Sequence, residues 1–147
     1  MKEFSEKVKY HRAVNELSQK QLAEKAGVTE RTILSYERGE RRPHATQLYK
    51  LAKALGVSTE YLKDDTIDDP AYGLDRMEYV EEMRRREGNK EALDLEKMLQ
   101  QNQALFAGGT VSEEAKDAYF QAVMKAYIEC KESARQTFGR KKKTTSE

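Results

Sequence analysis

The sequence predicts an all-α fold in which a small helical domain precedes a second helical segment. Apolar residues recur at the three- and four-residue spacing of amphipathic helices along the 147-residue chain, and no run alternates with the period of a strand. Both prolines, Pro43 and Pro70, fall between the periodic segments. We therefore expect a domain at 1–65, an acidic linker at 66–73, helices at 74–138 and a basic disordered tail at 139–147.

The first two helices are read from their apolar spacing and from a capping pattern. A helix over 3–14 would turn Phe4 and Val8 inward. Ser18 then precedes a second helix, and Gln21 lies three residues later, which is the spacing of a capping box. The sequence therefore places the start of the second helix at Ser18.

Three further helices complete the first domain. Thr29 is expected as the N-cap of a helix that reaches Arg38, with Gly39 ending it. A fourth helix over 45–55 stops at Gly56, and Ser58 caps a short fifth helix. About 65 residues are just enough to bury one core.

The connection between the second and third helices is very short. Gly27 can adopt the positive φ of a tight turn, and Ala23 is small enough for the two helices to cross closely. Val28 and Ile33 supply apolar contacts beneath the turn. This is the layout of a helix-turn-helix, whose second helix presents its outer face to the DNA major groove.

The outer face of the third helix follows from its spacing. Ile33 and Tyr36 face the core, so the other residues of this helix that precede Tyr36 face outward. Arg31 can bond the O6 and N7 atoms of guanine, although a plain solvated helix surface would look similar. The expected base-reading residues are Glu30, Arg31, Thr32, Leu34 and Ser35.

The segment LSQKQLAEKAGVTERTILSYERGERRPHATQLYKLAKALGVSTEYL, at 17–62, resembles the Cro/cI type of helix-turn-helix, the Xre family. The resemblance implies a five-helix, lambda-repressor-like DNA-binding domain in a bacterial regulator. It also implies a structural ion pair between Arg12 and Glu37 and a phosphate contact from Gln19. His44 departs from the usual Ser or Asp cap of the fourth helix. The expected phosphate-binding residues are Gln19, Thr29, Arg38, Arg41 and Arg42, the arginines being alternatively part of a solvated loop.

The second half reads as amphipathic helices, one of them starting at Ser112. Two such helices form a thin layer that buries its apolar stripe best against a second copy. A self-contained three-helix unit with the dimer made elsewhere is the alternative. Cys130 falls on the apolar stripe and is interpreted as core, not as a redox sensor. The expected dimerisation residues are Leu95, Leu99, Phe106, Tyr119, Val123 and Tyr127.

Charge and composition exclude several other classes. Residues 1–63 carry thirteen basic and eight acidic side chains, which suits a polyanion partner or an ordinary solvated surface. No apolar run could span a membrane, and the single cysteine fits a reducing cytoplasm. There is no phosphate loop, nucleophile elbow or metal-ligand cluster, so we expect no enzyme, cofactor or metal site.

The sequence thus predicts a cytoplasmic regulator that binds double-stranded DNA. The most specific form of this hypothesis is a homodimeric repressor that reads an inverted repeat through the helix at 29–38. The alternative is an antitoxin-like or mobile-element maintenance protein whose C-terminal helices bind a protein partner.

Overall fold

The computed structural model describes residues 2–102 and 112–145, and the chain divides into two compact units, Met1–Glu81 and Glu82–Glu147. The described residues contain helices and no strands, which confirms the predicted all-α class. None of their helices is long and apolar enough to cross a membrane. In chain order the α-helices are α1 (Phe4–Val14), α2 (Gln19–Ala26), α3 (Glu30–Glu37), α4 (Ala45–Leu55), α5 (Thr59–Lys63), α6 (Met77–Glu87), α7 (Asn89–Gln101) and α8 (Glu113–Thr145).

Helix starts in the first unit follow local capping chemistry. The predicted capping box is confirmed, since the Ser18 hydroxyl accepts from the Gln21 amide at 3.0 Å and the Gln21 side chain accepts from the Ser18 amide at 2.8 Å. His44 makes no side-chain cap for α4, and the next residue, Ala45, has a positive φ of 44°. The departure from Ser or Asp at His44 therefore leaves α4 with a weak, strained start.

The core of the first unit lies where its five helices meet. α2 packs on α3 and α4, while α1 packs on α3, α4 and α5. The core is formed by Phe4, Val8, Leu22, Ala23, Ala26, Ile33, Tyr36, Leu51, Ala52, Leu55, Val57, Tyr61, Leu62 and Met77. This packing fixes α3 on the domain while leaving its opposite face to solvent.

The segment 66–73, expected as a linker, lies inside the first unit. The Ser58 amide donates to the Pro70 carbonyl at 2.8 Å, which ties the segment to the start of α5. Further along, the Tyr49 hydroxyl donates to Glu78 at 3.0 Å, so α4 also holds the start of α6. These bonds explain why the division falls after Glu81 and not before residue 74.

In the second unit α8 runs antiparallel to α7, and polar contacts join α8 to α7 and to the end of α6. Arg135 lies 2.9 Å from Glu87, Lys131 lies 3.6 Å from Glu91, and the Tyr127 hydroxyl donates to Asp94 at 3.2 Å. Beneath this row the apolar core comprises Met83, Ala92, Leu95, Leu99, Phe120 and Met124.

This packing corrects the expected apolar face of the second half. Leu95 and Leu99 are buried inside the single chain, and Tyr119, Val123 and Tyr127 are half-buried. Phe106 lies outside the described residues. Cys130 was expected in the core and is exposed, because α8 turns Phe120 and Met124 inward instead. The exposed side of α8 carries Ala122, Ala126 and Cys130 at four-residue spacing, a set that we call the α8 outer row.

The C-terminal residues also differ from the prediction of a disordered tail. α8 continues to Thr145, so the backbone of residues 139–145 is helical. Lysine and arginine are good helix formers, and their charge is favourable at a helix C-terminus, which accounts for the extension.

Candidate functional site

The first feature of the site is the turn between α2 and α3. Gly27 ends α2 with φ 71°, and the Val28 amide returns to the Ala23 carbonyl at 3.0 Å. The Thr29 hydroxyl then accepts from the Thr32 amide at 3.2 Å and starts α3. Two helices are therefore joined by three residues, with Gly27 in the left-handed conformation that an L side chain adopts only at a cost.

The two faces of α3 have opposite environments. Ile33, Tyr36 and Glu37 are buried against the domain. Of the predicted base-reading residues, Glu30 and Arg31 are exposed and Thr32, Leu34 and Ser35 are half-buried. The structure thus leaves these five side chains outside the core, with Glu30 and Arg31 the most accessible to solvent.

An ion pair fixes α3 to α1. Arg12 and Glu37, expected as a pair, make two parallel contacts, Nε to Oε2 at 2.9 Å and Nη2 to Oε1 at 3.0 Å. The Glu37 side chain is 2% exposed and that of Arg12 is 24% exposed. Arg12 also donates to the Leu17 carbonyl at 3.0 Å, just before α2. Because one guanidinium contacts α3 and the approach to α2, it sets the relative position of the two helices.

The predicted phosphate-binding residues differ in availability. Gln19 is half-buried at the first turn of α2, while Thr29 is exposed and its hydroxyl caps α3. Arg38 and Arg41 are exposed beyond the end of α3. Arg42 differs, because its guanidinium forms an ion pair with Asp65 at 3.0 Å. The loop therefore presents two arginines to solvent and holds the third on an acidic side chain.

Lys7 is a buried cation that sequence reasoning missed. Its ammonium donates to the carbonyls of Tyr61 at 2.6 Å, Asp64 at 3.0 Å and Ile67 at 2.9 Å. Burial lowers the pKa of Lys7, while the aspartates of the same segment, above all Asp65, act to raise it. The signal in the sequence was a lysine three residues after Phe4, on the apolar face of α1.

A second buried ion pair, besides that of Arg12 and Glu37, joins α5 to the turn before α6. Arg76 donates to Glu60 through Nε at 2.6 Å and Nη2 at 2.7 Å, and both side chains are at most 5% exposed. Gly73, with φ 80°, lies so close to the pair that an added β-carbon would overlap the Glu60 carboxylate. Nothing local in the sequence indicates this pairing, since the partners come from α5 and from the turn before α6.

Comparison with known proteins agrees with this geometry. The family model HTH_3, described as Helix-turn-helix, matches residues 8–62, which contain α2, the turn and α3. No solved structure matches the chain significantly.

Several curated relatives are similar to the chain. A helix-turn-helix-type transcriptional regulator of Methanocaldococcus jannaschii is 43% identical over 54 residues, which are 37% of this chain and 82% of the relative. The SPbeta prophage-derived regulator YonR of Bacillus subtilis is 29% identical over 129 residues, 86% of this chain and 98% of YonR. The cryptic phage CTXphi transcriptional repressor RstR of Vibrio cholerae is 36% identical over 63 residues, 43% of this chain and 57% of RstR. The similarity to YonR thus extends into the second half of the chain. The other two matches span 54 and 63 residues, each shorter than the first unit.

Proposed function

Because the chain belongs to the helix-turn-helix family of DNA-binding transcriptional regulators, we propose that it is a dimeric repressor that reads an inverted repeat through α3. The observation that carries the proposal is the exposed face of α3, on which Glu30 and Arg31 lie free of the core. Arg31 can bond guanine through its two terminal nitrogens, and Ser35 can reach an adjacent base edge. The remaining contacts on this face provide shape and apolar complementarity.

The proposed phosphate contacts lie on both sides of that face. Gln19 lies at the start of α2, where free backbone amides and the helix dipole favour an anion. Arg38 and Arg41 follow the end of α3. Contacts at both ends would fix the register of α3 on the duplex, while base contacts would supply the sequence preference.

A two-fold operator requires two copies of α3 about 34 Å apart, and the second unit is the proposed means of pairing. Leu95 and Leu99 are used inside one chain, so the dimer contacts are now assigned to the α8 outer row and the adjacent Tyr119 and Val123. Small side chains at Ala122 and Ala126 would let two helices approach closely. Support for a repressor comes from RstR, which is named as one.

Selection from random DNA tests the reading of bases. Wild type and an Arg31→Ala, Ser35→Ala double variant are each used to enrich duplexes at about 150 mM salt. We expect an inverted-repeat consensus with wild type that degrades at the positions under α3 with the variant. Binding without a consensus, equal in both proteins and abolished by salt, would overturn base reading and leave only phosphate attraction.

The dimer and its role are tested separately. Ala126→Glu places a charge in the outer row, and Gln121→Glu, which adds the same charge, is its control, being exposed on the same helix but turned by about 140° from Ala126. Light scattering after gel filtration should give a dimer for wild type and Gln121→Glu and a monomer for Ala126→Glu. A monomeric wild type would favour the alternative of a protein partner for α8. Transcription in vitro from a promoter overlapping the selected site should fall when wild type is added, and a rise would refute repression.

A further inference from the structure

Arg42 forms an ion pair with Asp65 within the first unit. Its Nη2 lies 3.0 Å from one carboxylate oxygen of Asp65 and 3.3 Å from the other. The guanidinium carbon lies 5.3 Å from the centre of the buried Phe4 ring, close enough for a cation–π contact. Arg42 nevertheless remains 52% exposed, so a solvent-side ligand can approach it.

Lys7 fixes the backbone on both sides of Asp65. The buried ammonium binds the carbonyls of Asp64 and Ile67, the residues on either side of the Asp65–Thr66 pair. The Asp64 side chain in turn accepts from the amide and the hydroxyl of Thr66 at 2.9 and 2.6 Å. The carboxylate of Asp65 therefore sits on a turn that is already ordered, and less side-chain entropy is lost when it binds Arg42.

A carboxylate with two oxygens and a phosphate with two free oxygens bind a guanidinium in the same way. Building on the proposed function, we infer that Asp65 occupies the phosphate-binding position of Arg42 in the DNA-free protein, so that DNA must displace this carboxylate. Arg38 and Arg41 are paired with no acidic side chain among those described, at 2–102 and 112–137, so a phosphate contact by either needs no such exchange.

The exchange has two measurable consequences. Part of the free energy of the phosphate contact is offset by the lost ion pair, so Asp65 weakens DNA binding. In addition, the freed carboxylate attracts cations as Arg42 releases one from the DNA, which lowers the salt dependence of binding. Both consequences disappear when Asp65 loses its charge.

The test compares two full-length variants that change net charge equally. Asp65→Asn removes the partner of Arg42, and Asp68→Asn removes a neighbouring charge that is exposed and, like Asp65, acts on Lys7. Binding of each to a labelled mixed-sequence duplex of about 30 base pairs is measured by anisotropy over a range of salt concentrations. Circular dichroism verifies folding, and Asp65→Ser is the substitute if Asp65→Asn unfolds.

We expect Asp65→Asn to bind about two- to five-fold more tightly than Asp68→Asn, the range that an exposed ion pair provides. Its plot of log affinity against log salt should be steeper, by at most about one ion. Adding Arg42→Gln to both variants should remove the difference, because no guanidinium is left to release.

Two results would overturn the inference. Equal affinities for the two variants would mean that only net charge matters, and weaker binding by Asp65→Asn would mean that Asp65 positions Arg42 for phosphate. Failure of wild type and both variants to bind duplex at low salt would instead overturn the proposed function, and this inference with it.

Discussion

Replacing Gly73 with alanine tests how tightly the first unit is built around its buried ion pair. A β-carbon at Gly73 would overlap the Glu60 carboxylate, with the carboxyl carbon at 2.7 Å and Arg76 Nη2 at 3.2 Å. Both partners are almost fully buried, so neither can turn toward solvent without breaking the pair. Gly73 also has φ 80°, a conformation that alanine adopts only under strain.

The expected loss is the sum of these two effects. Left-handed backbone costs about 1 kcal/mol for a residue with a side chain, and separating a buried ion pair costs about 3 kcal/mol or more. Gly73→Ala should therefore lower the free energy of unfolding by about 4 kcal/mol. With a urea dependence of about 2 kcal/mol per molar, the unfolding midpoint moves down by about 2 M.

Gly56→Ala is the matched control for this experiment. Gly56 has φ 75°, and a β-carbon there would meet nothing within 4 Å. The control should therefore lose only the backbone cost of about 1 kcal/mol. Urea unfolding of the full chain, followed by far-ultraviolet circular dichroism, measures both variants. Equal losses would refute the argument that contact with the ion pair, and not φ, makes glycine necessary at Gly73.

Three further predictions concern the same unit. Lys7→Met should cost about 2 kcal/mol in urea unfolding, because three carbonyls lose a charged donor, and an unchanged midpoint would contradict this. Burial, together with Lys2 and Lys7, lowers the pKa of His11, so the unfolded chain binds its proton at higher pH and stability falls as the pH drops below about 6.5. His11→Gln should make the urea midpoint nearly independent of pH between about pH 7.5 and 5. The same change at exposed His44 should not reduce this pH dependence. Glu16 has φ 55°, and Glu16→Gly should raise the free energy of unfolding by about 1 kcal/mol, a gain that a lower thermal midpoint would disprove.

The features that sequence predicted correctly depend on neighbouring residues. The capping box of Ser18 and Gln21 needs only four consecutive positions, and Gly27 marks the turn by its own backbone. The outward side of α3 follows from the helical period once Ile33 and Tyr36 are taken as core. Such patterns specify where a helix begins and which face is apolar.

The features that sequence missed depend on contacts between distant residues. Lys7 bonds to carbonyls 54 to 60 positions away, and a lysine on an apolar face carries no sign of such partners. The stripe with Leu95 and Leu99 was apolar as expected, but periodicity does not tell whether the same chain or another copy covers it. Arg42 was grouped with its neighbours because only the tertiary fold brings Asp65 to it.

The contacts of α5 also determine how short a functional fragment of this protein can be made. The family match ends at residue 62, yet a fragment cut there would keep Glu60 without Arg76 and Lys7 without the carbonyls of Asp64 and Ile67. It would then lose the guanidinium that pairs with Glu60, two of the three carbonyls that Lys7 binds, and Met77 from the core. A fragment suitable for spectroscopy or for fusion to another protein therefore extends to Glu81, the end of the first unit.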